Sequence, residues 1–319
     1  MIISRTPLNL NFCGEETNIK EYWEKHDGAI ICGTINKYIY LIAKERIDNE
    51  IWLKYSKNEI VKRLDEIKNE LLKEVLKETG FIKGIELVSL SSIPKGYELG
   101  SSSAFTIGSL NSVYALLGKY KSPLELAKEA IEIERKARGL NSKRNEQYSL
   151  SYGGLNFIEL KKDGEIKISP IIMPPSIKKS LTDNLLLFDM GIKENPQDEI
   201  LKEKPIDEES LHKAKEFAYA LKDSLQSLDI RRFGEILHQN WVYKKTKEEI
   251  HPAIEWNYNL AKSAGAVGGK VWNCKNGRFL LLYVEPENQD RVRAALGNLN
   301  EIHFNLESSG SKIIYLEDI

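Results

Sequence analysis

A glycine- and serine-rich loop between a strand-like and a helix-like segment constrains this chain most. Residues 84–90 are rich in β-branched and apolar side chains, which is typical of a strand, and the apolar stretch 104–117 predicts a helix. A loop at 94–103 joins them. Backbone N–H groups at the start of a helix are unpaired, and the helix dipole is positive there, so the loop suits an anion such as phosphate. An ordinary helix start with a serine cap is the alternative.

Two other known motifs with a glycine-containing loop do not match this sequence. A Walker loop requires G-x-x-x-x-G-K-[ST], but Gly269 and Lys270 are followed by Val271. A nucleophile elbow requires G-x-S-x-G, and residues 100–104 end in alanine. A serine hydrolase that uses Ser101 or Ser102 therefore remains only a minor alternative.

The charge balance excludes some classes of partner. The 46 lysines and arginines nearly cancel the 47 aspartates and glutamates, for a net charge of −1. We expect no nucleic-acid partner and no polybasic attachment to a membrane. The sequence has no apolar run long enough to span a bilayer and no signal-peptide pattern at its start, so we expect a cytoplasmic protein.

Cysteine and histidine give no sign of a metal site. The chain has three cysteines, none in a C-x-x-C pair, which argues against structural zinc and disulfides and favours small buried thiols. The five histidines lack metal-ligand spacing in the sequence. The cysteines are Cys13, Cys32 and Cys274, and the histidines are His26, His212, His238, His251 and His303.

Hydrophobic periodicity predicts interspersed strands and helices. Residues 36–46 read as a strand, and residues 59–79 carry apolar side chains at helical spacing up to Gly80. Ser122 and Glu125 form a capping box that should open a helix to about residue 138. This pattern predicts an α+β fold with no doubly wound parallel sheet. We place a domain boundary in the segment 161–180, which gives domains 1–168 and 169–319.

Several short motifs, taken together, resemble the GHMP kinases, and the closest resemblance is to the D-glycero-D-manno-heptose phosphate kinase branch. The resemblance spans nearly the whole chain. It rests on Arg5-Thr-Pro-Leu8 with Phe12, Gly14 and Thr17; Gly28-Ala29; Thr34-Ile-Asn-Lys-Tyr38; Gly100-Ser-Ser-Ser103 with Phe105 and Gly108; Tyr152-Gly-Gly-Leu-Asn156; and Gly265-Ala-Val-Gly-Gly-Lys270.

The resemblance implies a fold and a set of roles. Domain 1–168 would resemble ribosomal protein S5 domain 2 and carry the phosphate-binding loop, and domain 169–319 would be ferredoxin-like. ATP and Mg²⁺ would be the cofactors. The implied roles are nucleotide binding for Gly100, Ser101, Ser102 and Ser103; magnesium binding for Ser102 and Glu134; catalysis for Glu146; and sugar binding for Thr17, Asn18 and Tyr152. On helical pattern alone, Glu134 reads as a solvated carboxylate on a helix face.

The sequence departs from the family pattern at four places in the implied pocket. Two glycines and an aspartate of the first motif are replaced by Glu15, Glu16 and Asn18. The catalytic aspartate is replaced by Glu146, whose carboxylate lies one methylene further out. A glycine before the phosphate loop is Glu98, and the third glycine-rich run reads as residues 273–279, where Lys275 and Arg278 could offset the charge of Glu98.

These departures leave two functions open. The first is an ATP-dependent kinase for a sugar or sugar phosphate, with a heptose phosphate-like acceptor. The second is a catalytically silent homologue that binds a metabolite or a partner protein. The sequence does not decide the oligomeric state or the position that is phosphorylated.

Overall fold

The computed structural model describes residues 1–81, 84–94, 99–138, 145–191, 207–247, 250–274 and 277–317, with backbone alone at 273–274 and 277–278. The chain divides into two compact units, each made of segments that are not contiguous in sequence. Unit 1 contains Met1–Leu10, Gly33–Gly154 and Glu307–Ile319, and unit 2 contains Asn11–Cys32 and Leu155–Leu306. The boundary predicted at 168/169 thus falls inside unit 2.

Unit 1 is built on a mixed sheet with the strand order β12-β1-β2-β5-β3-β4. Strands β1 and β2 continue into unit 2. Strand β5 pairs antiparallel with β2 and parallel with β3, and β12 pairs antiparallel with the start of β1. The strands are β1 (Ile2–Cys13), β2 (Gly28–Glu45), β3 (Ile51–Lys54), β4 (Asn58–Val61), β5 (Ile85–Ser91) and β12 (Lys312–Leu316).

One predicted helix of unit 1 is only half correct. Residues 59–79 were expected to be helical throughout, but the first part forms β4 and a short 3₁₀ turn, Leu64–Glu66. Helix α2 (Glu70–Thr79) begins at the cap of Asn69, whose side chain accepts a hydrogen bond from Leu72 N at 3.1 Å. It ends at Gly80 with φ 68°, as predicted.

Three further helices carry the candidate site of unit 1: α3 (Ser101–Leu116), α4 (Pro123–Arg138) and α5 (Asn145–Tyr152). The predicted capping box of α4 is confirmed, because Ser122 Oγ accepts from Glu125 N at 3.3 Å and Ser122 N donates to Glu125 Oε2 at 2.8 Å. Helix α3 lies close to β1, since Gly108 O accepts from Ser4 Oγ at 2.9 Å. A Cβ on Gly108 would lie 3.0 Å from Leu41 Cδ2.

Unit 2 contains a four-stranded antiparallel sheet with the order β11-β8-β10-β9. Trp241, Ile254, Tyr258, Val292 and Leu296 pack against its apolar face. The elements of unit 2 are α1 (Lys20–His26), β6 (Leu155–Leu160), β7 (Ile166–Pro170), α6 (Pro175–Asp183), β8 (Leu185–Asp189), α7 (Glu208–Gln226), α8 (Ile230–Lys247), α9 (Pro252–Ser263), β9 (Gly268–Cys274), β10 (Gly277–Tyr283), α10 (Pro286–Ala295) and β11 (Asn300–Glu301).

Two of the three cysteines can be located in the structure. Cys13 and Cys32 are buried free thiols, as the sequence predicts. Burial raises the pKa of Cys13 to about 12, so its thiol stays protonated and unreactive at neutral pH. Among the described residues, no helix is both long enough and apolar enough to cross a bilayer.

Candidate functional site

The start of α3 has the backbone geometry that the sequence predicts for an anion site. Gly100, the residue before the helix, is left-handed with φ 71° and ψ 15°, a conformation that disfavours other residues. As a glycine, Gly100 offers the first turn no side-chain cap, and the N–H groups at such a helix start suit an anion. Asn9 N donates to Leu99 O at 3.0 Å and ties the loop to β1. The alternative of a serine-capped helix start does not describe this turn.

Behind this turn, two carboxylates converge on one serine hydroxyl. Ser103 Oγ lies 3.2 Å from Glu134 Oε2 and 3.4 Å from Glu146 Oε2. Gln147 Nε2 donates to Ser103 Oγ at 3.1 Å and to Glu134 Oε2 at 2.9 Å. A hydroxyl has one hydrogen and can serve only one carboxylate at a time. The cluster therefore favours either a proton or a cation between the two acids.

Glu134 is the member of this cluster that most needs a partner. It is only 4% exposed, so its interpretation as a solvated helix-face carboxylate is wrong. Its Oε1 is buried and has no hydrogen-bond partner among the described residues. Burial raises the pKa of Glu134 to about 7, the Glu146 carboxylate adds to the rise, and the hydrogen bonds from Ser103 and Gln147 oppose it.

The serine beside Glu134 is Ser103, whereas the resemblance implied Ser102. Successive residues of a helix are turned by about 100° from one another, so Ser102 and Ser103 point in different directions and contact different residues of α4. Ser102 Oγ instead accepts a hydrogen bond from Arg138 Nη2, in the last turn of α4. This arginine places a positive charge beside the start of α3, and the sequence analysis did not single it out.

The donor set fits a magnesium ion. Mg²⁺ prefers oxygen ligands, is commonly held by one or two carboxylates, and completes its shell with water and phosphate oxygens. The unpartnered Oε1 of Glu134, the Ser103 hydroxyl and the Glu146 carboxylate supply oxygen donors beside a predicted phosphate site. A divalent cation there would also relieve the burial that raises the pKa of Glu134.

The three predicted sugar-binding residues belong to different units. Tyr152, which is 38% exposed, ends α5 in unit 1. Thr17 and Asn18 belong to unit 2, at the end of a 3₁₀ turn, Glu15–Thr17. The Thr17 side chain is fully buried; its hydroxyl donates to Gly14 O at 2.7 Å and accepts from Ala29 N at 3.0 Å. Thr17 therefore holds the turn together, and its hydroxyl is not available to a sugar.

The glutamates that replace glycines in this turn have cationic neighbours. Glu15 forms an ion pair with Lys270, a residue on β9 that is only 5% exposed. Glu16 lies 3.9 Å from Lys244. The sequence analysis noted Glu15 and Lys270 in separate motifs, and only the fold brings them together.

Some predicted residues lie outside the described part of the chain. These are Glu98 and Lys275, and for Arg278 only the backbone is described. The proposed compensation of Glu98 by Lys275 and Arg278 therefore remains a prediction.

Comparisons with known proteins identify relatives of this chain. Residues 50–154 match the model of the GHMP kinases N terminal domain. The D-glycero-α-D-manno-heptose 7-phosphate kinase of Campylobacter jejuni is 29% identical, over 92% of this chain and 93% of that protein.

Solved structures agree with the sequence comparisons. A D-glycero-D-manno-heptose 1-phosphate kinase from Bacteroides thetaiotaomicron superposes with a TM-score of 0.83 and 25% identity over 100% of both chains. The mevalonate kinase of Methanococcus jannaschii has the same fold, with a TM-score of 0.74 and 20% identity over 95% of this chain and 98% of that one. The predicted α+β GHMP kinase fold is confirmed.

Proposed function

We propose that the chain is a small-molecule kinase of the GHMP type, which transfers the γ-phosphoryl group of ATP to a hydroxyl of a heptose phosphate-like sugar. The observation that carries the proposal is the buried Glu134 carboxylate. One of its oxygens has no hydrogen-bond partner among the described residues, and the carboxylate lies beside Ser103 and Glu146 near the start of α3. The heptose phosphate acceptor is inferred from the kinases named above, which are similar to this chain over most of its length.

Each part of the unit 1 site has a role in this reaction. The backbone N–H groups that follow Gly100, with Ser101 and Ser102, bind the nucleotide phosphates. Arg138, which donates to Ser102, adds positive charge next to them. Ser103 and Glu134 hold Mg²⁺, which when bound neutralises charge on the phosphates.

Glu146 orients the acceptor hydroxyl and accepts its proton. A bond forms between the acceptor oxygen and the γ-phosphorus, the bond from that phosphorus to the β–γ bridging oxygen breaks, and ADP leaves. Catalysis of this kind depends on positioning and electrostatic stabilisation more than on covalent chemistry by the protein. Tyr152, at the end of α5, contacts the sugar in this proposal, and sugar binding by Asn18 remains a prediction.

The test measures ADP release with MgATP and either the 7-phosphate or the 1-phosphate of D-glycero-D-manno-heptose. We expect turnover with one of them, and a loss of about a hundredfold or more in kcat for Ser103→Ala and Glu134→Gln, because each removes an oxygen ligand or its charge. Ser109→Ala is the matched control on the same helix, since Ser109 Oγ is buried without a hydrogen-bond partner among the described residues. It should retain full activity.

A silent homologue is the second candidate, and the glutamates of the turn at residues 15–17 favour it. Glu15 is paired with Lys270, and the Thr17 hydroxyl is hydrogen-bonded within the turn. Fewer polar groups of that segment therefore remain to bind a sugar. The silent homologue predicts magnesium-dependent ATP binding in calorimetry without ADP release for any heptose or hexose phosphate. Turnover with any such acceptor would exclude it.

A further inference from the structure

A cluster of two histidines and a glutamate lies on the surface of unit 2, and it includes none of the residues assigned above. His26 ends α1, and Glu208 and His212 lie one turn apart at the start of α7. One ligand atom from each residue lies within 4.8 Å of the other two. The sequence analysis found no metal-ligand spacing among the histidines, because the fold brings His26 to the other two residues from a distant part of the chain.

The distances suit a tetrahedral ion. Glu208 Oε1 lies 2.9 Å from His26 Nε2 and 3.5 Å from His212 Nε2. A tetrahedral zinc ion with bonds of about 2.0–2.1 Å separates its ligand atoms by about 3.3 Å. The two measured distances lie on either side of that value. The third distance, between the two imidazole nitrogens, is at most 4.8 Å. The exposed side chains need to move these nitrogens together by at most about 1.5 Å to reach the tetrahedral separation.

A neighbouring tyrosine already orients one of the imidazoles. The Tyr22 hydroxyl hydrogen-bonds to His212 Nδ1 at 2.9 Å, which leaves His212 Nε2 directed at Glu208. Metal-binding histidines commonly use their second nitrogen in this way, and the contact fixes the ring. The ammonium of Lys215 donates to the main-chain oxygen of His26.

The site is accessible from solvent. The side chains of His26, Glu208 and His212 are 30%, 61% and 45% exposed, so an ion can enter and water can take the fourth position. Two imidazoles and one carboxylate suit zinc and its neighbours in the first transition series, whereas Mg²⁺ prefers oxygen ligands alone.

We propose that His26, Glu208 and His212 bind one zinc ion, which fastens the end of α1 to the first turns of α7. Helix α1 begins shortly after Asn18, so the ion fixes the element that follows the candidate sugar-binding turn. The proposal goes beyond the kinase function, and the Mg²⁺ ligands at Glu134 take no part in it.

The test titrates zinc chloride into the full-length, chelator-treated protein in the calorimeter, with thermal unfolding measured in parallel. We expect one ion per chain with a Kd of about 1 μM or tighter, and a rise in Tm. His212→Ala should weaken binding at least about tenfold, and Glu208→Gln should do the same without shortening the side chain. Cobalt(II) should give visible absorption bands of low-symmetry coordination in the natural protein, and these should vanish in both variants.

His303→Ala is the matched control, because His303 is an exposed histidine of the same unit that also lies near a glutamate, Glu301, at 3.5 Å. It should bind zinc as the natural chain does. Circular dichroism checks that the variants are folded. No binding below about 100 μM zinc, or binding that both site variants retain, would overturn the proposal. None of these readouts depends on kinase activity, so failure here is distinct from failure of the proposed function.

Discussion

Two largely buried glutamates, one in each unit, have opposite electrostatic surroundings. Glu134 in unit 1 faces a second carboxylate, and burial raises its pKa to about 7. The Glu15 side chain in unit 2 is only 12% exposed, and this partial burial by itself would raise its pKa. The charges of Lys270 and Lys244 outweigh that effect and lower the pKa of Glu15 below its usual value.

The comparison separates a carboxylate that has its cation within the protein from one that does not. A buried charge is tolerated only when it is paired, and Glu15 is paired by Lys270. Glu134 has hydrogen bonds on one oxygen only, and it must gain a proton or a ligand cation. We infer that Glu15 stabilises the fold, while Glu134 is kept for a ligand at the expense of stability.

The largest expected effect is on folding. It comes from a comparison of Gly14, which precedes Glu15, with Gly100, which precedes α3. Gly14 and Gly100 both have positive φ, at 86° and 71°. A Cβ on Gly14 would lie 2.0 Å from Ala29 O, whereas one on Gly100 would lie 3.4 Å from the nearest atom, Leu150 Cδ1. Gly14→Ala should leave no folded protein in soluble extracts. Gly100→Ala should fold and lose only about 1–2 kcal/mol of unfolding free energy in urea titration. Equal losses would contradict this reading of the two turns.

The next effect concerns the ion pair of unit 2. Lys270→Met removes the cation and leaves Glu15 buried, so the unfolding free energy at neutral pH should fall by about 3–5 kcal/mol. The loss should shrink as the pH is lowered, because protonation removes the unpaired charge. Lys247→Met is the control: that side chain is 31% exposed, against 6% for Lys270, and its pairs with Glu209 and Asp207 should contribute under about 1 kcal/mol. Urea titrations over a range of pH measure both variants.

A smaller effect on the free energy of unfolding is expected from the titration of Glu134 in the magnesium-free protein. Because its folded pKa of about 7 exceeds the ordinary value, the folded state binds more protons between about pH 4.5 and 7. The unfolding free energy should therefore fall as pH rises through that window, by on the order of 2–3 kcal/mol. Glu134→Gln should abolish this fall and be more stable than the natural chain at pH 8, while losing activity. A variant that is inactive and also less stable at pH 8 would show that Glu134 is an ordinary structural residue.

Much of the unit 1 site could be predicted from local sequence. The cap of α4 at Ser122 and the stop of α2 at Gly80 depend on neighbouring residues, and both are where the sequence placed them. Helix α3 was also predicted, but it begins at Ser101 and not at residue 104. One local prediction was half wrong. The segment that forms β4 has helical spacing but pairs with β3. Tertiary packing outweighs weak local preference there.

The partners within the site could not be predicted in this way. Ser103, Glu134 and Gln147 come from three helices, and which loop serine faces Glu134 depends on how those helices are rotated against one another. The ion pair of Glu15 with Lys270 and the cluster of His26 with His212 join residues that are distant in the chain. Rules of local residue spacing cannot predict contacts between residues that are so far apart in the sequence.

By itself the sequence determined the α+β class, the glycine turn before α3 and the resemblance to the GHMP kinases, because each depends on short-range periodicity, backbone conformation or motifs. Only the tertiary structure decided which charges meet, and therefore which buried carboxylate is neutralised inside the protein and which is left for a ligand. Electrostatic energies of buried groups depend on distances of a few ångströms between elements, and the chain order does not contain those distances.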